Sequence, residues 1–597
     1  MSLEETAFDA IVLGTGLTES IIAGALARAG KKVLHLDSNE NYGGSWGVLS
    51  FKDLLQWSQK AKDIPQQGSE NNAAIAYQSM HSANFKNVAF HLPGRHIKDE
   101  TTTVHTFEKA LSPIIAEEIK SRLQYTFHDT VSRDLWASQV AHAADQLARP
   151  EQENVDIDLQ PALSRLAILG EALKKARQYN IDLAPKLLSC RGDLVEILIQ
   201  SGVGRYLEFK GVDDMFVFNH DTTRMEKVPS SKEDVFSNKS IKLIDKRKLM
   251  NFLTFTMDYQ NDPTALEGFE SATYAEYLSK KFKITGRLQT AILYAIAVVD
   301  TRTDAKTGLE RTQAFMKSIG RFSKGGYLCT LYGGGSEIAQ AFCRICAVYG
   351  GIYILNQKLS SFILDEETGK CMGVVTDDNQ TFHCDWLITS PDYLCDRWLP
   401  KGREFGSWIA RCVLITDIPL VDTEDVNMLS YSVTPLEEGR APILALHQNN
   451  ESMACPPGKY ITYFWQDQSD TVSLQEAIKL LLKTQEGEMI TPEWILSYEQ
   501  RQRRISDFAE QFNTPDNVIP CSDPTAALDF ESATKEAKAA FYKIMPSDTE
   551  FMPPQKEDDE REVMDDAQDE DEDEPKCTAT VEDDKEELKG TEAHDAT

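Results

Sequence analysis

Phe8-Asp-Ala-Ile-Val-Leu-Gly14-Thr-Gly16-Leu-Thr-Glu19 opens the most regular stretch of the chain, which runs on to Gly44. Ala10 to Leu13 is a short apolar run that ends in the glycine turn. Ile21, Ile22, Ala25, Leu26 and Ala29 then fall on one helical stripe, with Gly30 as its stop signal. Val33 to Leu36 returns as a second strand and ends on Asp37. Strand, glycine turn, helix, strand, with an acid about twenty positions after the glycines, is the order of a dinucleotide-binding unit, whose acid holds a ribose hydroxyl. The third glycine position, however, carries Glu19. A carboxylate there suits the helix dipole but repels a phosphate seeking the same amides. Two readings stay open on these residues: Gly14, Gly16 and Asp37 hold a flavin or nicotinamide, or the fold persists without a nucleotide.

The 597 residues allow several domains, at roughly 100–200 residues each, and 41% hydrophobic residues can build a large core. A net charge of −32 argues against nucleic-acid binding, which needs a basic footprint. Nearly half of that excess falls after Pro554. Eleven cysteines scattered without paired spacing fit reduced thiols. Met1-Ser-Leu-Glu-Glu has neither the basic segment nor the apolar core of a signal peptide. The longest apolar run, Ala291 to Val299, is far short of the ~20 residues of a membrane span. Ala593 to Thr597 contains no prenylation box. The expectation is a soluble cytosolic protein.

The expected fold class is α/β, a Rossmann-like domain of the FAD/NAD(P)-binding type in several parts, with an inserted α-helical domain. Residues 1–227 and 306–554 form the discontinuous nucleotide-type domain, and residues 59–180, rich in Gln, Asn, Ser and His, read as an insertion within it. Within that insertion, Leu163, Leu166, Leu169 and Leu173 keep helical spacing. Residues 228–305 read as the helical domain, opened by a capping box at Ser230-Ser-Lys-Glu233. Leu249, Phe252, Leu253, Thr256 and Met257 mark one amphipathic face there, and Leu288 to Val299 is apolar almost all round. Residues 352–389 alternate as strands, Cys412 to Ile415 is another, and Asn517 to Cys521 is a late strand followed by Asp523. Residues 555–597 are too acidic to build a core and read as a disordered tail.

Leu331-Tyr-Gly-Gly-Gly-Ser-Glu337 opens a helix for which Ser336 offers an N-cap. Glu337 and Arg344 share one face but stand roughly 10 Å apart along the axis. An ideal direct pair is out of reach at that separation, so each needs another partner or simply faces solvent. Cys343-Arg-Ile-Cys346 has redox spacing, but it lies inside the same helix with no second pair near, and structural thiols are the better reading. No HExxH, other metal-ligand cluster or serine nucleophile elbow is present.

Taken together, Ile11-Val-Leu-Gly-Thr-Gly-Leu-Thr-Glu19, Lys32-Val-Leu-His-Leu-Asp37, Tyr42-Gly-Gly44, Arg205-Tyr-Leu-Glu-Phe-Lys210, Leu331-Tyr-Gly333, Arg344 and Ala347-Val-Tyr-Gly-Gly-Ile-Tyr353 closely resemble the family of Rab GDP-dissociation inhibitors and Rab escort proteins. The resemblance spans about residues 8–57 and 179–545. The 59–180 insertion, the acidic tail, Ser45-Trp46 and Cys343-Arg-Ile-Cys-Ala-Val resemble the longer escort branch, component A of Rab geranylgeranyltransferase. The resemblance implies a non-catalytic subunit that binds GDP-bound Rab GTPases. It presents their C-terminal cysteines to the geranylgeranyltransferase heterodimer, then escorts the lipidated Rab to membranes. It also implies a Rab-binding platform at Tyr42, Glu337 and Arg344, and transferase docking through Tyr274 and Arg287. A prenyl cavity is expected among Leu249, Phe252, Leu253, Ile292 and Ile296. No cofactor or metal is expected, and Gly14, Gly16, Glu19 and Asp37 become a vestigial motif. The alternatives are a recycling GDP-dissociation inhibitor and, more remotely, an FAD-dependent oxidoreductase.

Overall fold

Five parallel strands lie at the centre of the first sheet. Their order is Ile352–Ile354, Val33–Leu36, Ala7–Leu13 and Thr381–Thr389, with Val518–Pro520 pairing the last of these. Thr381–Thr389 also pairs antiparallel with Cys371–Thr376, which pairs antiparallel with Leu359–Leu364. Ala10 and Val12 face helices Leu17–Arg28, Gly335–Val348 and Glu531–Ile544 through Ile21, Leu26, Ile338, Phe342, Ala537 and Phe541. Ile11 and Leu13 face the opposite layer with Leu34, Leu387 and Trp398. A strand buried on both faces has no polar positions, which is why this one reads as an unbroken apolar run. In this computed structural model the described residues are 5–60, 84–94, 104–108, 117–147 (except 118, 122 and 124), 154–158, 160–212, 214–219, 224–229, 242–395, 397–399, 406–420, 428–433, 442–467, 471–483, 489–507 and 512–554. The expected capping box at 230–233 and the acidic tail lie outside them.

The second sheet has eight strands in the order Arg224–Val228, Asp214–Asn219, Met428–Val433, Ile443–Asn449, Tyr460–Asp467, Ser407–Thr416, Trp494–Gln502, Phe85–His91. All pairs are antiparallel except Asp214–Asn219 with Met428–Val433. The edge strand Phe85–His91 comes from the 59–180 insertion, so that segment builds part of the sheet. The insertion also supplies helices Thr130–Leu147 and Gln160–Lys174. Trp136, Val140 and Ala144 of the first, four residues apart, join Leu166, Leu169 and Leu173 of the second in one apolar cluster.

Helices Leu243–Asp258, Tyr274–Lys281, Arg287–Ala291 and Ala305–Ser318 make the helical block, with a π-helical turn at Ile292–Ile296. Tyr274–Lys281 starts on a true capping box: the Thr273 hydroxyl accepts the Glu276 amide at 3.2 Å, and the Glu276 carboxylate accepts the Thr273 amide at 3.4 Å. Phe252, Tyr277 and Phe282 stack at 5.1–5.7 Å to fill the block's centre. Among the described residues no helix is long and apolar enough to cross a membrane.

Candidate protein-binding site

The glycine turn positions everything that follows. Gly14 adopts φ +97° and donates its amide to Leu36 O at 2.8 Å. Beyond it, Asp37 is buried and saturated by the chain itself. Its Oδ2 accepts the Thr15 amide at 2.7 Å and the Thr15 hydroxyl at 2.6 Å. Its Oδ1 accepts the Asn39 amide, the Asn39 side chain and the Tyr393 hydroxyl at 2.9, 2.8 and 3.1 Å. Five donors leave a ribose hydroxyl nothing to bind. The late acid, Asp523, is likewise held by Arg503 through Nε at 2.5 Å, a terminal nitrogen at 2.9 Å and the amide at 3.0 Å. The same guanidinium reaches Asp392 at 2.7 Å.

Glu19 sits in the first turn of Leu17–Arg28 with its carboxyl folded back over Gly16, so that a methyl group there would collide with Oε2. Burial pushes this carboxyl well above the ordinary range, against the pull of its own amide. The neighbouring acids Glu536, Asp523 and Asp392 push it further. Trp46 fills the space beside it: a Cβ built on Gly335 would stand 2.5 Å from its ring, and one on Gly16 3.4 Å. The residues present therefore do not fit a dinucleotide. The helix amides that would hold a pyrophosphate face a carboxyl of the chain, and Asp37, the acid that would hold a ribose, is already saturated by the chain's own donors.

Gly43 carries the turn to the surface. Its amide donates to Thr15 O at 3.1 Å and to Thr15 Oγ1 at 3.0 Å. With φ +99°, and with a built Cβ only 2.9 Å from Ser336 Oγ, no other residue fits there without strain. The Ser336 hydroxyl then donates to Tyr42 O at 3.2 Å, tying the Tyr42 loop to the helix Gly335–Val348. The N-cap of that helix is Gly334, two residues before the expected cap Ser336, which serves the loop instead. Asp182 accepts the Gly334 amide at 3.1 Å and the Ala184 amide at 2.8 Å, giving the uncapped helix a carboxylate from another segment.

The structure thus brings Tyr42 to the N-terminal turn of the helix bearing Glu337 and Arg344. Tyr42 is half-buried, with its ring 6.0 Å from Tyr353. Burial and the Tyr353 hydroxyl push its phenol upward. Glu337 is half-buried, which raises its carboxyl, and it has no hydrogen bond or ion pair among the described residues. Arg344 is exposed, its guanidinium lying 4.6 Å over the Tyr206 ring with no carboxylate partner among the described residues. Tyr206 and Tyr353 complete the surface. Both stand in quoted motifs, but neither was singled out, because the residue pattern alone does not show which tyrosines face outward.

Of the docking pair, only Arg287 reaches the surface. It pairs with Glu226 at 2.5 Å and stays largely exposed. Tyr274 is fully buried, its hydroxyl 2.6 Å from Thr312 Oγ1 and its ring lying against Gly308, where a side chain would collide. Tyr274 is therefore a core residue in this conformation, and the expectation that it contacts a partner is corrected. Leu249, Phe252, Ile292 and Ile296 are buried too, with Leu253 partly so. Phe252 packs 5.1 Å from Phe282, so the helices must part before a lipid enters between them. Cys343 and Cys346 lie under the helix, Cys343 Sγ 3.4 Å from Ser20 Oγ, and burial pushes both thiols up to about 12. No group of three or more metal-ligating side chains occurs among the described residues.

A family model described as GDP dissociation inhibitor matches residues 3–77 and 158–553. The human Rab proteins geranylgeranyltransferase component A 1 is 31% identical over 92% of this chain and 92% of its own length. The human component A 2 is 30% identical with the same two coverages. A Rab GDP-dissociation inhibitor from Saccharomyces cerevisiae is 24% identical over 90% of this chain and 95% of its own. Among solved structures, Rab GDI from Plasmodium falciparum superposes with a TM-score of 0.59 at 20% identity, covering 92% of this chain and 100% of that one.

Proposed function

The chain belongs to the GDP dissociation inhibitor family, and from that premise we propose that it is a Rab escort. It binds GDP-bound Rab GTPases on the face built by Tyr42, Glu337 and Arg344, with Tyr206 and Tyr353 beside them. It presents the Rab C-terminus to Rab geranylgeranyltransferase, contributing position and not chemistry, and then keeps the lipidated Rab in the cytosol until it is delivered to a membrane. The observation that carries this reading is the state of one helix face. Glu337 is half-buried and Arg344 is exposed, both lack a charged partner among the described residues, and both stand beside a tyrosine loop fixed by hydrogen bonds. A partly desolvated unpaired carboxylate has a cost to the free protein that a cationic or hydrogen-bonding partner relieves.

The geranylgeranyl chain is sheltered among Leu249, Phe252, Leu253, Ile292 and Ile296 once the helical block opens. Twenty carbons at ~0.8 kcal/mol per CH2 give ample gross drive for that opening. Arg287 is the accessible candidate for transferase docking. We infer that the glycine turn holds no cofactor: the Glu19 carboxyl folds over Gly16, and Thr15 already donates to Asp37.

The test is reconstitution. The purified chain is mixed with unprenylated Rab, the transferase heterodimer and geranylgeranyl diphosphate. Prenyl transfer that depends on the chain supports the escort reading. Rab binding without transfer assigns the chain instead to recycling, as a GDP-dissociation inhibitor.

A further inference from the structure

The two most exposed large aliphatic side chains described are consecutive: Leu243 at 63% and Ile244 at 68%. They begin the helix Leu243–Asp258, whose inner face is buried through Leu249, Phe252 and Thr256. Around them stand Lys242, Lys246, Arg247 and Lys248, and the one acid among described residues 242–248 is Asp245, which pairs with Lys248 at 3.1 Å. The helix has Lys242 at its N-cap, with no side-chain cap. Apart from Asp245 in the first turn and its pair with Lys248, these choices work against the helix. Lysine is a poor cap, cations in the first turns oppose the macrodipole, and apolar side chains in water gain nothing. They also go against the chain, whose net charge is −32. Folding alone does not account for this patch.

We propose that the first two turns of Leu243–Asp258 form a contact surface for an anionic lipid bilayer, with Leu243 and Ile244 entering the acyl boundary and the surrounding cations meeting the headgroups. The residue types select a bilayer over a protein. Protein hot spots favour Trp, Tyr and Arg, with Leu under-represented, and interfaces are depleted in Lys. Here the apolar element is Leu-Ile, and three of the four cations are lysines, whose long stems lie along an apolar boundary while the ammonium stays in the headgroups. Each cation near an anionic surface adds attraction, and two aliphatics add a salt-independent component. The inference does not rest on the Rab reading, in which a membrane is reached through the lipid of the cargo. Here the chain touches the bilayer by itself.

The test uses the full chain without Rab, co-sedimented with vesicles of phosphatidylcholine alone or with added phosphatidylserine. The expected result is binding to the phosphatidylserine vesicles that weakens as salt rises. The double variant Leu243→Ser/Ile244→Ser should lose binding by about tenfold or more. Lys242→Glu/Arg247→Glu should abolish the preference for phosphatidylserine. All four side chains are exposed, so the variants should fold, which far-ultraviolet circular dichroism checks. A wild-type chain that ignores phosphatidylserine vesicles overturns the proposal. So does the serine double variant if it binds them like wild type, or if it loses only a complex with the transferase, which would make the patch a protein-docking surface.

Discussion

Thr15 closes on Asp37 twice, through its amide at 2.7 Å and its hydroxyl at 2.6 Å. The same hydroxyl accepts the Gly43 amide, so the residue that helps saturate Asp37 also fixes the loop bearing Tyr42. Thr15→Val keeps the shape and removes the hydroxyl, so buried Asp37 loses one of its five donors and the Gly43 amide keeps only its bond to the residue-15 carbonyl. We expect a loss of about 1–3 kcal/mol in unfolding free energy. Rab affinity should fall with it, although Thr15 is buried and touches no partner. Urea titration and a fluorescence binding assay check the two together.

Arg344→Ala and Glu337→Ala should each weaken GDP-Rab binding by about 1–3 kcal/mol if the partner buries them. Neither makes an ion pair inside the chain among the described residues, so the melting temperature should hold. Unchanged affinity in both variants removes the platform from this helix.

Glu536 gives the protein a pH signature. Burial pushes its carboxyl up to about 7, against the Ser522 hydroxyl and amide that favour the charged form. The unfolded chain releases that proton nearer the ordinary glutamate value of about 4.3. The folded state therefore binds the extra proton between the two values. The stability this adds is fully present below the unfolded value and is lost as pH rises through about 7. Glu536→Gln should flatten stability against pH over that window, with an upper bound of roughly 4 kcal/mol. Guanidinium unfolding measured across the window decides it, and an unaltered slope would place the titration elsewhere.

Tyr274→Phe deletes only the hydroxyl held by Thr312 and should cost about 1 kcal/mol, leaving prenyl transfer intact at temperatures where the variant is folded. Arg287→Ala should leave stability unchanged and lower the apparent affinity for the transferase. Titrating transferase into the reconstituted reaction separates the two effects.

The purified chain should be colourless near ~450 nm, where a bound flavin absorbs. A yellow protein would show that Glu19 leaves room for the cofactor after all.

Much of the first sheet was legible, because strands buried on both faces read as apolar runs and the glycine turn has its own spacing. Most of the second sheet was not. Arg411, His447, Gln448, Thr462, Gln466, Glu499, Gln500 and Gln502 are all buried, so its strands look too polar for a core. Their partners lie across the sheet, as in Arg411 to Gln500 at 2.6 Å and His447 to Thr462 at 2.7 Å, and no local pattern reveals such pairs. The helix bearing Glu337 and Arg344 was readable from its period. That Tyr42 meets it was legible only through the family resemblance, since Ser336 and Tyr42 are 294 residues apart in the chain. The burial of Tyr274 depends on Gly308 opposite it, on a different helix.

Glu19 has a consequence for how the protein answers to its surroundings. A bound cofactor stabilises a fold in proportion to the logarithm of its free concentration, so a flavoprotein's stability follows the cofactor supply. Here the group at the helix amides is covalently part of the chain. It cannot be diluted, competed away or starved. On the proposed reading, in which the turn holds no cofactor, it is complete as soon as the chain has folded, and its stability is the same at every metabolite level.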